Sequence, residues 1–129
     1  MNHAPHDQSS ALAFAQTWAA AWNARDIEAV LGHFADGVRF SSAKAVTITG
    51  SGVVDGKAAL RSYWRAALER IGQLHFTVRD ALWDPAAHTI SIRYRAELTG
   101  GAELGCEVLT FNEVGSVVAG DAYYGAPLA

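Results

Sequence analysis

Phe14, Trp18 and Trp22 recur at every fourth position with alanines between them, which predicts a first helix with one aromatic face, capped by Asp7, Ser9 or Ser10. Asp26 then caps a short second helix, in which Ile27, Val30, Leu31 and Phe34 follow the i, i+3, i+4, i+7 spacing, ended by "ADG" at 35–37. From Val38 to Val54 the pattern turns strand-like. "VRFSS" and "VTITGSGVV" flank a short connection at Ala43 to Ala45, predicting a ribbon with an irregular second arm. A third helix opens near Asp55 as its cap, carries the stripe Leu60, Tyr63, Trp64, Ala67, Leu68 and Ile71, and stops at Gly72.

The remainder alternates with period two. Four strands are predicted, Leu74 to Trp83, Thr89 to Leu98, Glu103 to Phe111 and Ser116 to Tyr124, joined by "DPAA", "TGG" and "NEVG". Helices ahead of a meander predict an α+β domain, three helices packed on a strongly curved antiparallel sheet. Residues 1–8 are expected as a loose tail and 9–126 as a single domain, without repeat or internal linker.

With 129 residues, half of them hydrophobic, the chain has room for one domain with a real core. Ten basic and thirteen acidic residues are scattered in no block, so nothing marks a partner as nucleic acid or an anionic membrane. No apolar run reaches the ~20 residues of a membrane span. The N-terminus lacks the basic start and apolar run of a signal peptide, and the lone Cys106 fits a small core residue in a reducing compartment, so a cytoplasmic location is expected.

Candidate chemistry enters with the strand "LGCEVLTF". Leu104, Cys106 and Val108 fall on one face, and Glu107 falls on the other with Leu109 and Phe111, an acid among apolar neighbours. Three readings stay open for Glu107: a solvated acid, a structural hydrogen-bonded acid, or the working group of a pocket. An inward Glu107 has to be protonated or paired.

Periodicity turns Trp18, Tyr63, Trp64, Tyr94 and Tyr124 inward, either as core or as the lining of a cavity at the open end of the sheet. Arg93 and Arg95 fall outward. Asp80 shares parity with Phe76 and Val78 unless a bulge breaks the register, and Asp121 falls on the face opposite Tyr124; both are expected at the surface or an interface. No metal-ligand spacing, nucleophile elbow or phosphate loop is present, so no metal or cofactor is expected.

"FAQTWAAAWNARDIEAVLGHFAD", "GKAALRSYW" and "FNEVGSVVAGDAYYG", in that order and spacing, resemble the SnoaL-like and ketosteroid-isomerase-like branch of the nuclear-transport-factor-two-like superfamily, from about Ala11 to Gly125. The resemblance implies a cone-shaped α+β barrel with a deep pocket and a homodimer formed through the outer face of the sheet. Fold does not carry function here, because the superfamily spans isomerases, cyclases, epoxide hydrolases, dehydratases and non-enzymes.

Residue by residue, the resemblance registers Ser42 with the general-base aspartate of ketosteroid isomerases, Trp18 with the oxyanion tyrosine and Trp64 with its supporting tyrosine. It registers Glu107 with an aspartic acid kept protonated to donate a hydrogen bond to the developing enolate. The epoxide hydrolases' last-strand aspartate registers with Ala122, a position on the pocket wall, and their arginine and aspartate pair falls near Ile90 and Ile92. An aspartate of SnoaL-type cyclases corresponds to Asp121.

These readings imply a pocket for a small, largely apolar molecule with Glu107 as its polar anchor. The alternatives are a cofactor-independent isomerase, cyclase or dehydratase acting on an enolisable ketone or polyketide-like substrate, with Glu107 as acid or base, and a non-catalytic dimeric interaction domain.

Overall fold

The computed structural model describes residues 4–128. Helix α1 (Gln8–Asn23) starts at a capping box in which Asp7 accepts from the Ser10 backbone and Ser10 reaches back. Ala11, Ala15, Trp18, Ala19 and Trp22 form its buried face. The tail expected over residues 1–8 is anchored from Ala4 onward, since Ala4 packs on the core, Pro5 is buried and Asp7 is the cap. Residues 1–3 lie outside the described residues.

Helix α2 (Ile27–Leu31) is shorter than its apolar spacing predicts. Phe34 opens strand β1 (Phe34–Ser42) instead of closing the helix, and "ADG" lies inside that strand, where the pairing with β6 shifts register between Phe34 and Arg39. A phenylalanine facing the core satisfies either pattern, so spacing alone does not separate them.

The expected second arm of the ribbon is a fourth helix, α3 (Ala45–Thr49), followed by only three residues of strand, β2 (Val53–Asp55). The β-branched run "VTIT" biases the local reading toward a strand. Local contacts close the helix instead: Thr49 Oγ1 donates to the Ala45 carbonyl, and Gly50 ends the helix at φ 83°, a left-handed conformation that favours glycine. Asp55 is not a cap. It sits in β2 facing Arg39 at 3.6 Å, and Gly56 precedes α4 (Lys57–Arg70).

Strands β3 (Leu74–Asp84), β4 (Thr89–Leu98), β5 (Gly101–Phe111) and β6 (Val117–Leu128) form the predicted meander. The six-stranded sheet has the order β2-β1-β6-β5-β4-β3; it curves around the helices without closing. One expectation fails: the sheet is mixed, because β1 pairs with β6 in parallel.

β3 is an edge strand, and two amide side chains of α1 cover it. Asn23 donates to the Phe76 carbonyl at 3.0 Å and accepts from the Phe76 N–H at 2.7 Å, and Gln8 does the same for Trp83 at 2.9 and 3.1 Å. Backbone groups that would otherwise template another strand are thereby satisfied. Between these clips the β3 register shifts around Arg79, which turns Asp80 to the outer face, where it pairs with Arg93.

The core between α4 and the sheet is built on Trp64. Its ring meets Trp22 at 4.9 Å and Phe34 and Phe40 at 5.5 Å each, all edge to face.

Candidate functional site

Glu107 lies at the centre of the sheet's concave face. Register places Ile92, Glu107, Ala122 and Ser42 in one row across β4, β5, β6 and β1. Glu107 is only 5% exposed, and among the described residues its sole side-chain hydrogen bond comes from Trp18 Nε1, which donates to Oε2 at 3.1 Å. Loss of water around the carboxyl pushes its pKa from an ordinary 4.5 up to about 8, and the indole N–H only partly offsets this. At pH 7 Glu107 is therefore mostly a neutral acid. Because Oε2 accepts from Trp18, the acid's proton falls on Oε1.

In front of Glu107 lies a cavity of about 280 Å³. Roughly 150 Å³ holds one benzene, so this volume suits a compound of about two fused rings. Helix α4 lines one wall with Tyr63, Trp64, Ala67 and Leu68, and the sheet lines the other with Tyr94, Glu107 and Tyr124. Tyr94 lies directly across Gly105 and is held by Trp18 and Phe76, with centroids 5.1 and 4.8 Å away. Burial pushes the Tyr94, Tyr124 and Tyr63 phenols above their ordinary value, so all three stay protonated.

Of the residues singled out from sequence, Tyr63, Trp64, Tyr94, Glu107 and Tyr124 come together on this cavity. Trp18 does not line it; its ring backs the Glu107 carboxyl from the α1 side. Ala122 faces inward beside Glu107 but is outside the lining. Asp121 is turned away altogether, since it pairs in register with the outward Val108 and its carboxylate accepts from the Ser41 hydroxyl.

Two residues at the mouth escaped the sequence reading. Glu103 shares the inward parity of Glu107 and pairs with Lys44, whose ammonium also lies 4.2 Å from the Tyr124 ring centroid. The alternation that located Glu107 applies equally to Glu103. Lys44 stands in a connection with no periodicity, so no pattern marks it. Among the described residues, no group of three or more His, Cys, Asp or Glu side chains could hold a metal ion, and no helix is long and apolar enough to cross a membrane.

The SnoaL-like domain model matches residues 15–120. A SnoaL-like protein of unknown function from Burkholderia thailandensis E264, solved by crystallography, is 37% identical and superimposes with a TM-score of 0.82, over 95% of this chain and 100% of that chain. A candidate ketosteroid isomerase from Kribbella flavida DSM 17836 is 20% identical, with a TM-score of 0.71 over 95% of this chain and 83% of that one. A candidate polyketide cyclase from Sinorhizobium meliloti is 13% identical, with a TM-score of 0.70 over 92% and 100%. The last two share the fold alone. No curated protein matches the sequence. With the domain model spanning most of the chain and a close structural relative over nearly all of it, the chain belongs to the SnoaL-like domain family.

Proposed function

We propose that this domain binds a small, largely apolar ring ketone, with neutral Glu107 donating a hydrogen bond to the ketone oxygen. The observation that carries the reading is a buried carboxyl on an aromatic cavity whose one protein partner occupies Oε2, leaving the acid's own proton on Oε1. Oε1 has no protein partner among the described residues and Glu107 lines the cavity, so a carbonyl oxygen there can accept its proton.

Affinity for a neutral ketone such as 1-tetralone is expected to be flat below pH 7 and to fall as pH rises through about 8, because a carboxylate repels the carbonyl oxygen. Between pH 6 and pH 9.5 the loss is about tenfold or more, read as quenching of the tryptophan fluorescence. Glu107→Gln, which keeps a donor and cannot ionise, is expected to bind with no such pH dependence. Wild-type affinity that does not change across that range would sink the reading.

A second reading, catalysis on an enolisable ketone, draws on the pKa of about 8, which keeps both protonation states of Glu107 accessible near neutrality. Turnover of such a ketone by the wild type and not by Glu107→Gln would select it over binding alone.

We also propose that two copies pair through the outer face of the sheet. Tyr123 and Leu82 are 59% and 54% exposed there, beside the half-buried Leu104 and Val108. Tyr123→Asp is expected to shift sedimentation from dimer to monomer; an unchanged mass would remove this face as the interface.

A further inference from the structure

Ser42, at the position where the isomerase base is missing, is 3% exposed and has a specific set of partners. Its hydroxyl is hydrogen-bonded to the Tyr124 phenol at 2.6 Å, and the Tyr63 phenol stands beside them. The three groups come from β1, β6 and α4, so the tertiary fold assembles them. Tyr63 and Tyr124 line the cavity and Ser42 stands behind them.

Counting protons shows what this cluster offers. Three hydroxyls carry three O–H protons, and the internal hydrogen bond between Ser42 and Tyr124 uses one of them. Two donors are left over. Neither phenol makes another hydrogen bond to the described residues, and burial keeps both protonated. If Tyr124 donated to Ser42, one spare proton would sit on Ser42, away from the cavity and facing protein. When Ser42 donates to Tyr124, both spare protons sit on phenols that line the cavity, where a ligand can accept them.

We infer that the Ser42, Tyr63 and Tyr124 hydroxyls form a second donor site, so that the cavity selects neutral ring compounds with two oxygen acceptors, one at Glu107 and one at these phenols. This rests on the ketone-binding reading and adds its specificity.

Ser42 and Glu107 flank Ala122 in one row of the sheet. Their backbones are therefore about 10 Å apart, two strand spacings. Glu107 and both phenols line the cavity, so the two polar ends face a body of about two rings. A neutral ligand suits the two donors, which are themselves uncharged, and of the two cationic groups on the lining, Lys44 and Arg70, Lys44 is already paired with Glu103.

Two probes with one frame test the inference. 6-Methoxy-1-tetralone carries a second acceptor at the end opposite its ketone, and 6-ethyl-1-tetralone matches its shape without one. By calorimetry at pH 6.5, the wild type is expected to bind the methoxy compound about fivefold more tightly than the ethyl compound. Tyr63→Phe/Tyr124→Phe, nearly isosteric, is expected to bind both equally. Glu107→Gln is expected to keep the methoxy preference. Equal binding of both tetralones by the wild type, or a preference that survives in the double variant, overturns the second donor site and leaves ketone binding intact. Failure of both tetralones to bind overturns ketone binding, and the second site falls with it.

Discussion

Glu107→Gln is expected to make the protein more stable than wild type at pH 9 and to lose that advantage as the pH is lowered to 4.5. The Glu107 carboxyl titrates at about 8 in the fold against an ordinary 4.5. Between those values the folded state holds a proton that the unfolded chain releases, so wild-type stability falls as pH rises, from its full value below 4.5 to a plateau above about 8. At ~1.4 kcal/mol per pH unit the full loss is on the order of 5 kcal/mol, a large part of the ~5–15 kcal/mol that holds a typical domain together.

Glutamine resembles the neutral acid and does not titrate, so its stability lacks this slope. The extra amide proton adds a constant offset, which makes the pH-dependent gap the informative quantity. His33, whose imidazole is held below its ordinary pKa by burial, titrates in both proteins and cancels. Guanidinium unfolding of both proteins from pH 4.5 to 9 measures the gap. Parallel profiles would mean that Glu107 is an ordinary, hydrated glutamate.

Glu107 was legible in the sequence because β5 alternates cleanly and no bulge intervenes between Gly105 and Leu109. The same holds for α1 and α4, whose apolar spacing persists over three turns or more, and for Tyr63, Trp64, Tyr94 and Tyr124. Trp18 shows the limit of periodicity, which reports that a side chain points inward but not whether it meets the cavity or the back of another residue. α3 was hidden by its β-branched residues. The outward turn of Asp80 depends on a bulge at Arg79 that local sequence does not mark. Parallel pairing of β1 with β6 joins residues some eighty positions apart, as Ser41 with Asp121, and no local pattern encodes it. The hydroxyl cluster around Ser42 depends on that pairing. Resemblance pointed to Ser42 as the place of a missing base and could not show what the serine holds.

Gly105→Ala is expected to disrupt the site from a position that carries no functional group. A Cβ there would lie 2.5 Å from Tyr94 Cζ and 2.7 Å from its hydroxyl oxygen, well inside van der Waals contact. Tyr94 has little room to yield. Its ring is packed between Trp18 and Phe76, so relief lies toward the cavity it lines. Overpacking of this kind destabilises by about 2 to 3 kcal/mol, which lowers Tm by roughly 10 °C in a domain of this size. The displaced ring also takes up ligand volume, so tetralone affinity is expected to fall with stability. Tyr94→Leu alone leaves a gap over the glycine and is destabilising for the opposite reason. Combined with Gly105→Ala, the smaller side chain makes room for the methyl group, and the double variant is expected to be more stable than the sum of the single losses by at least about 1 kcal/mol. Thermal unfolding of the four proteins closes the cycle. Additive losses would show that the Tyr94 ring does not rest on Gly105, and that this wall of the cavity is set by other contacts.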